Sequence, residues 1–373
     1  MHEPDFTIGI EEEYLLVDLD TFALAEAPEG LMEACAAELD AQVSPEFLQC
    51  QIEIGTRPHE RVADAISELS RLRKGIKACA EAHGYRPIAA STHPFANWRD
   101  QKRTEKQRYA DLRADIGQPV RRMLICGMHI HAGIEDADLR IDLMNQVAYF
   151  LPHMLALSCS SPYWEGEDSG LASYRLSVFD AMPRTGLPDQ FESHSSYRRT
   201  VDHLVAAGCV EDATKIWWDI RPSDRFPTLE ARICDICSDV QDAGAIAALY
   251  QSLLAYLYRL RSRNQRWRLY PSILIMENRW RAQRYGGEDR LLDLGRQTLT
   301  PFSALVEELI EIVHDEAERL GCLPELLHLR EIARRGSSAA RQRAVFGQAV
   351  EDGAEAPEAL RAVVEDLATQ FAP

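Results

Sequence analysis

Residues 6–18, F-T-I-G-I-E-E-E-Y-L-L-V-D, read as one extended strand. Side chains on a strand alternate between its faces. Gly9, Glu11, Glu13 and Leu15 therefore share one face, and Ile8, Ile10, Glu12, Tyr14 and Leu16 share the other. Two carboxylates two residues apart on one side repel each other. Mg2+ or Mn2+ would relieve that repulsion, because both prefer oxygen ligands. An exposed edge strand with a solvated acidic face explains the same letters, and this stretch alone does not separate the two readings. Glu12, on the apolar side, is expected to meet a basic side chain from a covering helix rather than a metal.

The same asymmetry recurs on three later segments. Residues 47–54 place Leu48, Cys50, Ile52 and Ile54 on one face and Gln49, Gln51 and Glu53 on the other. Residues 123–133, M-L-I-C-G-M-H-I-H-A-G, put His129 and His131 on one side and Met128 and Ile130 on the other. Residues 215–221 and 228–234 flank the turn-like S-D-R-F-P and read as a hairpin. Its second strand sets Leu229, Ala231 and Ile233 against Thr228, Glu230 and Arg232.

Helices are expected over about 60–82, where Val62, Ile66, Leu69, Leu72 and Ile76 form a 3.6-residue stripe, and over 101–116. Others are expected over 138–157, 195–207, from 239 through Leu260, over 303–319 and over 357–371. Residues 158–175 lack a period and read as an ordered loop, where binding residues often sit. Grouped strands and later helices describe an α+β chain. Nothing marks a boundary, so residues 1–373 read as one unit with a mainly helical part from about 300.

A net charge of −18 argues against nucleic acid or an anionic membrane as the main partner. Only five of the 41 basic residues are Lys, so Arg supplies nearly all the positive charge. Nine Cys scattered along the chain fit reduced thiols, and the lone C-x-x-C of Cys234 and Cys237 has no second pair to complete a zinc site. Glu3 and Asp5 lead straight into the first strand without a signal sequence, and no stretch reaches membrane-spanning length. The expected location is the cytoplasm.

If the four segments belong to one sheet, helices cover its apolar face and the other becomes a trough lined by Glu11, Glu13, Glu53, Glu230, His129 and His131. Such an oxygen-rich set favours Mg2+ or Mn2+ over Zn2+. Mg2+ completes its shell with water and phosphate oxygens, which points to a nucleotide triphosphate as co-ligand. No G-x-x-x-x-G-K-[ST] occurs, so this is not a P-loop protein. Taken singly, each residue has a plain alternative. H-x-H fits core or surface histidines, and Glu230 with Arg232 fits a cross-strand pair.

G-I-E-E-E-Y, C-G-M-H-I-H-A-G, A-L-S-C-S-S-P-Y-W-E-G, S-Y-R, W-W-D-I-R-P-S, T-L-E-A-R-I-C-D and E-N-R-W-R-A-Q-R-Y-G follow one another between residues 9 and 286. Together they resemble the bacterial carboxylate–amine ligases of the YbdK type, within the glutamine synthetase and glutamate–cysteine ligase superfamily. One departure is Thr228, which stands where glutamine synthetases have an additional Arg. The resemblance implies a glutamine-synthetase-like fold, a curved and mainly antiparallel sheet with helices on its convex face. It implies ATP-dependent joining of a carboxylate to an amine in a homodimer, with glutamate and cysteine as the expected small-molecule substrates. By position, Glu11, Glu13, Glu53, His129 and Glu230 would hold the metals. His131 and Arg232 would lie beside the nucleotide phosphates. Arg175 and Arg221 would grip substrate carboxylates, and Arg281 and Arg284 would approach the site. The rival readings are a metal-dependent amide hydrolase and a nucleotide- or amino-acid-binding regulator on the same fold.

Overall fold

Seven strands of the chain, in a computed structural model that describes residues 2–102 and 116–372, form one sheet in which every pairing is antiparallel. They are β1 (Ile8–Asp18), β2 (Val43–Pro45), β3 (Gln51–Gly55), β4 (Tyr85–Ile88), β5 (Met128–Gly133), β6 (Ile220–Pro222) and β7 (Thr228–Ala231). Their order is β6-β7-β5-β1-β3-β2. Leu15 pairs with both Gln51 and Ile88, so β4 extends the β5 side along the second half of β1. β1 thus runs through the middle of the sheet.

The period-2 pattern of β1 is obeyed. Ile8, Ile10, Glu12 and Tyr14 are buried, while Glu11 and Glu13 are partly accessible. Against the apolar face lie helix α1 (Val62–Ala82) and helix α2 (Val240–Ser262). α2 is buried on nearly every side, as a helix apolar all round should be. Gly244 permits the close crossing of the two helices, since a Cβ there would come within 2.8 Å of Ile66. Helix α3 (Ser272–Tyr285) lies beyond α2 in the chain, helix α4 (Phe302–Leu320) packs on α2, and helix α5 (Ala356–Gln370) packs on β4. One buried apolar cluster extends from Phe6 to Ala372, so the helical end shares the core of the sheet.

Glu12 meets the basic partner its face required. It is fully buried, and Arg73 of α1 donates to both its oxygens, Nε at 2.9 Å and Nη2 at 2.7 Å. Arg73 sits in the apolar stripe of α1 and also donates to the carbonyls of Cys237 and Ser238, just beyond β7.

Several boundaries differ from the sequence reading. β3 begins at Gln51 rather than at residue 47, because the buried Gln51 side chain turns to donate to Ile125 O. β5 begins at Met128 rather than 123, since Cys126 N donates to Ser91 O outside the sheet. The helix expected over 138–157 breaks into Ala137–Val147 and Leu151–Ser158, the second carrying Pro152 in its first turn, where a missing N–H costs no bond. Trp217–Trp218 pairs in parallel with Thr185–Gly186, leaving only Ile220–Pro222 to meet β7. The segment 158–175 holds a small hairpin, Tyr163–Trp164 with Glu167–Asp168, before the helix Tyr174–Phe179. The helix expected over 101–116 lies almost wholly outside the described residues.

Candidate active site

Sheet register, not sequence proximity, assembles the polar face. Glu11 lies opposite His129 across β1 and β5, Glu13 opposite Glu53 across β1 and β3, and Glu230 opposite both His131 and Arg221. Beside this face lies a cavity of about 1450 Å³, lined from the cluster by Glu11, Glu53 and His131.

One cluster is built on Glu11. His129 Nδ1 and His131 Nε2 each approach a Glu11 oxygen at 3.3 Å. Glu230 is gripped on its other side by Arg221, Nε at 2.9 Å, and by Nη1 of Arg232. Single ligand atoms of Glu11, His131 and Glu230 lie within 4.8 Å of one another. His131 Nδ1 meets Thr228 Oγ1 at 3.0 Å, and its Nε2 is buried without a hydrogen bond of acceptable geometry. A buried orphan nitrogen beside two carboxylates fits a divalent cation.

The electrostatics agree. Burial works against the charge of Glu11, but the adjacent imidazoles of His129 and His131 outweigh it and hold the carboxyl well below the usual range. Burial likewise opposes Glu230, whose pKa Arg232 and Arg221 pull down. Burial, reinforced by Arg232, lowers His129 to about 4 despite Glu11, leaving a neutral imidazole able to act as a ligand. Burial also opposes a charge on His131, yet Glu11 and Glu230 raise its pKa.

A second cluster lies further along β1. Burial, then the charges of Glu46 and Glu53, push Glu13 up to about 8. Its Oε2 accepts from Gly127 N at 2.9 Å, and Ser44 Oγ donates to Glu53 at 2.9 Å. Glu46 is the carboxylate the sequence did not reveal. It follows β2 in the irregular stretch before β3, where no strand period assigns its face.

The arginines divide. Arg232 remains within the trough, with Nε buried and unpartnered, and Arg221 adds bonds to the carbonyls of Ile216 and Thr214. Arg175 is buried beside Gly127 and Glu13 and donates to the carbonyls of Arg232 and Ile233. Arg281 and Arg284 do not line the cavity. They bind Asp289 with Arg290 O and Gly170 O, respectively, because α3 packs away from the trough. A further anchor escaped sequence reading. Buried Asp235 accepts from Ser160 N at 2.9 Å, Ser161 Oγ at 2.7 Å and Ser173 Oγ at 2.8 Å, stapling the segment 158–175 to the stretch that bridges Gly127.

Gly127 is the tight point between Glu13 and Arg175, since a Cβ there would lie 2.5 Å from Arg175 Nη2. Gly127→Ala is expected to displace that guanidinium and to lower unfolding stability by about 1–3 kcal/mol in denaturant titration. An unchanged midpoint would show that Arg175 shifts freely.

A family model described as glutamate–cysteine ligase family 2 matches residues 7–366. The chain belongs to glutamate–cysteine ligase family 2. A family relative from Ruegeria pomeroyi named "Putative glutamate--cysteine ligase 2" is 55% identical over 369 residues, covering 99% of this chain and 95% of that one. Another of the same name, from Rhodospirillum rubrum, is 56% identical over 375 residues, covering 99% and 96%. The fold is shared more widely. The crystal structure of a Francisella tularensis glutamate–cysteine ligase in complex with AMP superposes with a TM-score of 0.69 at 14% identity, covering 100% of this chain and 90% of that one. The antiparallel sheet and its covering helices thus share the fold of that glutamate–cysteine ligase.

Proposed function

We propose that this family 2 chain is an ATP-dependent ligase that joins the side-chain carboxylate of glutamate to the amine of cysteine. The observation that carries the reading is the polar face of one sheet. Glu11 and Glu13 of β1, Glu53 of β3 and Glu230 of β7 share one polar face with His129 and His131 of β5, above a cavity that Glu11, Glu53 and His131 line. A carboxylate is unreactive toward amines at neutral pH. Its oxygen attacks the γ-phosphorus of ATP, the bond to the β-phosphate oxygen breaks, and an acyl phosphate and ADP form. The amine then attacks the acyl carbon, phosphate departs with the C–O bond, the amine loses a proton, and an amide remains.

Glu11, His129, His131 and Glu230 would hold one divalent cation and Glu13 with Glu46 and Glu53 another, with Mg2+ or Mn2+ suited to the oxygen-rich donor set. Such ions supply charge neutralisation at the β- and γ-phosphate oxygens. Arg232, held by Glu230 and with its Nε unpartnered, would meet the transferred phosphoryl group. Arg221 holds Glu230 from its other side, and Arg175 supports the strand that carries Arg232. A cytoplasmic homodimer is part of this reading. No helix among the described residues is long and apolar enough to cross a membrane.

The test is ADP release with ATP and Mg2+, with and without each amino acid, and mass detection of γ-glutamylcysteine. Release that requires glutamate and rises with cysteine is expected. ADP release indifferent to both amino acids, or amide cleavage without nucleotide, would overturn the reading.

A further inference from the structure

Helix α3 carries three arginines, Arg279, Arg281 and Arg284. Its buried residues are Ile275, Asn278, Arg279, Ala282 and Gln283, the spacing of one packed helix side. Arg281 and Arg284 fall off that side, whereas Arg279 lies on it and is 2% exposed. An arginine buried so deeply needs anionic partners. It has two. Nε and Nη2 donate to the two oxygens of Asp219 at 2.7 and 3.1 Å, and Nη1 and Nη2 donate to Asp180 at 2.7 and 2.8 Å. Asp219 is buried, while part of the Asp180 side chain is open to water, which solvates the surplus negative charge.

Both carboxylates belong to segments that hold Arg232 by its backbone. Asp219 lies between Trp218, which pairs with Gly186, and Ile220, which begins β6. Its carbonyl accepts from Arg232 N at 2.8 Å and from Ile233 N at 3.1 Å. Asp180 closes the helix Tyr174–Phe179, where its N–H donates to Leu176 O at 2.8 Å. That helix carries Arg175, whose guanidinium donates to the carbonyls of Arg232 and Ile233, each at 3.2 Å. One guanidinium on α3 therefore joins the residue that holds the Arg232 N–H to the helix that holds the Arg232 carbonyl. Gln283, one turn further along α3, ties the same helix again, its Nε2 donating to Ser177 Oγ at 2.9 Å.

A buried ion pair adds little to stability compared with apolar side chains of similar volume. What this one supplies is direction, because a planar fork fixes two carboxylates at set angles. We propose that Arg279 is a positioning residue for Arg232. It clamps Asp219 and Asp180, so that the backbone of Arg232 is gripped from both sides and its guanidinium is set beside Glu230. The inference rests on the ATP-dependent reading above, in which Arg232 meets the transferred phosphoryl group. Acting only through Arg232, Arg279 serves the chemical step rather than substrate affinity.

Arg279→Lys keeps the charge and removes the fork. It is expected to lower kcat for ADP release by about 10- to 100-fold, the scale of loss when a reacting group is misplaced by about 1 Å. The KM values for ATP and glutamate should change by less than about twofold, since ground-state binding is untouched. Asp180→Asn, at the water-exposed end of the clamp, should fold as the wild type does and lower kcat by a smaller factor. Site-resolved amide hydrogen exchange reads the clamp without turnover. In Arg279→Lys the amides of Arg232 and Ile233, which donate to Asp219 O, should exchange about tenfold faster while those of β1 and β5 stay unchanged. If Arg279→Lys does not fold, Asp180→Asn decides by the same two readouts. Unchanged kcat in an active enzyme, or exchange that quickens equally across the whole sheet, would overturn the proposal. Wild-type protein that never releases ADP in response to glutamate would instead overturn the ligase reading, and faster exchange confined to Arg232 and Ile233 would still support the clamp.

Discussion

Glu13→Gln is expected to keep the fold and to lower metal-dependent turnover by roughly 100-fold or more, as loss of a ligand at a catalytic metal site should. The substitution preserves an oxygen for the N–H of Gly127, which donates to Glu13 at 2.9 Å. It also removes one charge from a crowded group, where burial and then Glu46 and Glu53 push Glu13 up to about 8. The sign of the pH effect follows. A carboxyl raised above its ordinary 4.5 takes up a proton on folding in the metal-free protein. Its contribution to stability is complete below about pH 4.5 and is lost as the pH rises through about 8. The metal-free wild type should therefore lose more Tm between pH 5 and pH 8.5 than Glu13→Gln does. Added Mg2+ replaces the proton, so it should raise the wild-type Tm more at pH 8 than at pH 6. Full activity of the variant with an unchanged Mg2+ requirement would remove Glu13 from the metal-binding group.

Arg73→Met is expected to cost about 3–5 kcal/mol in denaturant unfolding, because it strands a charged Glu12 in the core. Among the described residues, Arg73 is the one cation paired with Glu12. Its other partner is the hydroxyl of Tyr14, which donates to Oε2 at 2.5 Å but carries no charge. The double variant Glu12→Leu/Arg73→Met should recover more than half the loss, since a buried pair is often replaced by apolar groups at little cost. The carbonyls of Cys237 and Ser238 would still lack the donors that Arg73 gives them at 2.8 Å. A single-variant loss below about 1 kcal/mol would mean that water or a rearrangement reaches Glu12. This pair lies on the far side of the strand that carries Glu11 and Glu13. It ties that strand to the segment beyond Glu230 and Arg232, so it also fixes the spacing of the polar face.

Much of the architecture was legible because strand and helix periods report directly which side of an element is buried. Alternation in residues 6–18 separated Glu11 and Glu13 from Glu12, and the structure gives Glu12 its buried arginine. The stripe of Val62 to Ile76 placed a helix, although the same stripe hid Arg73, whose charge is tolerated only because Glu12 faces it. Periodicity fails where the backbone is irregular. It gave no account of Glu46, between two strands, or of Asp235, which gathers serines far away in the chain. It could not show that Arg281 and Arg284 turn away from the cavity, because the orientation of α3 depends on what the helix packs against.

Residues 6–18 and their three counterparts determined by themselves that one sheet would have an apolar and a carboxylate-rich face, since the chemistry of alternate residues is written in the chain. Which carboxylate stands beside which histidine was decided only by strand register. Glu11 meets His129 and His131 because β1 and β5 pair antiparallel at that offset, and a slip of one residue would turn every one of these side chains to the other face. Distance along the chain carries no information about that meeting. The hydrogen bonds of the sheet supply it.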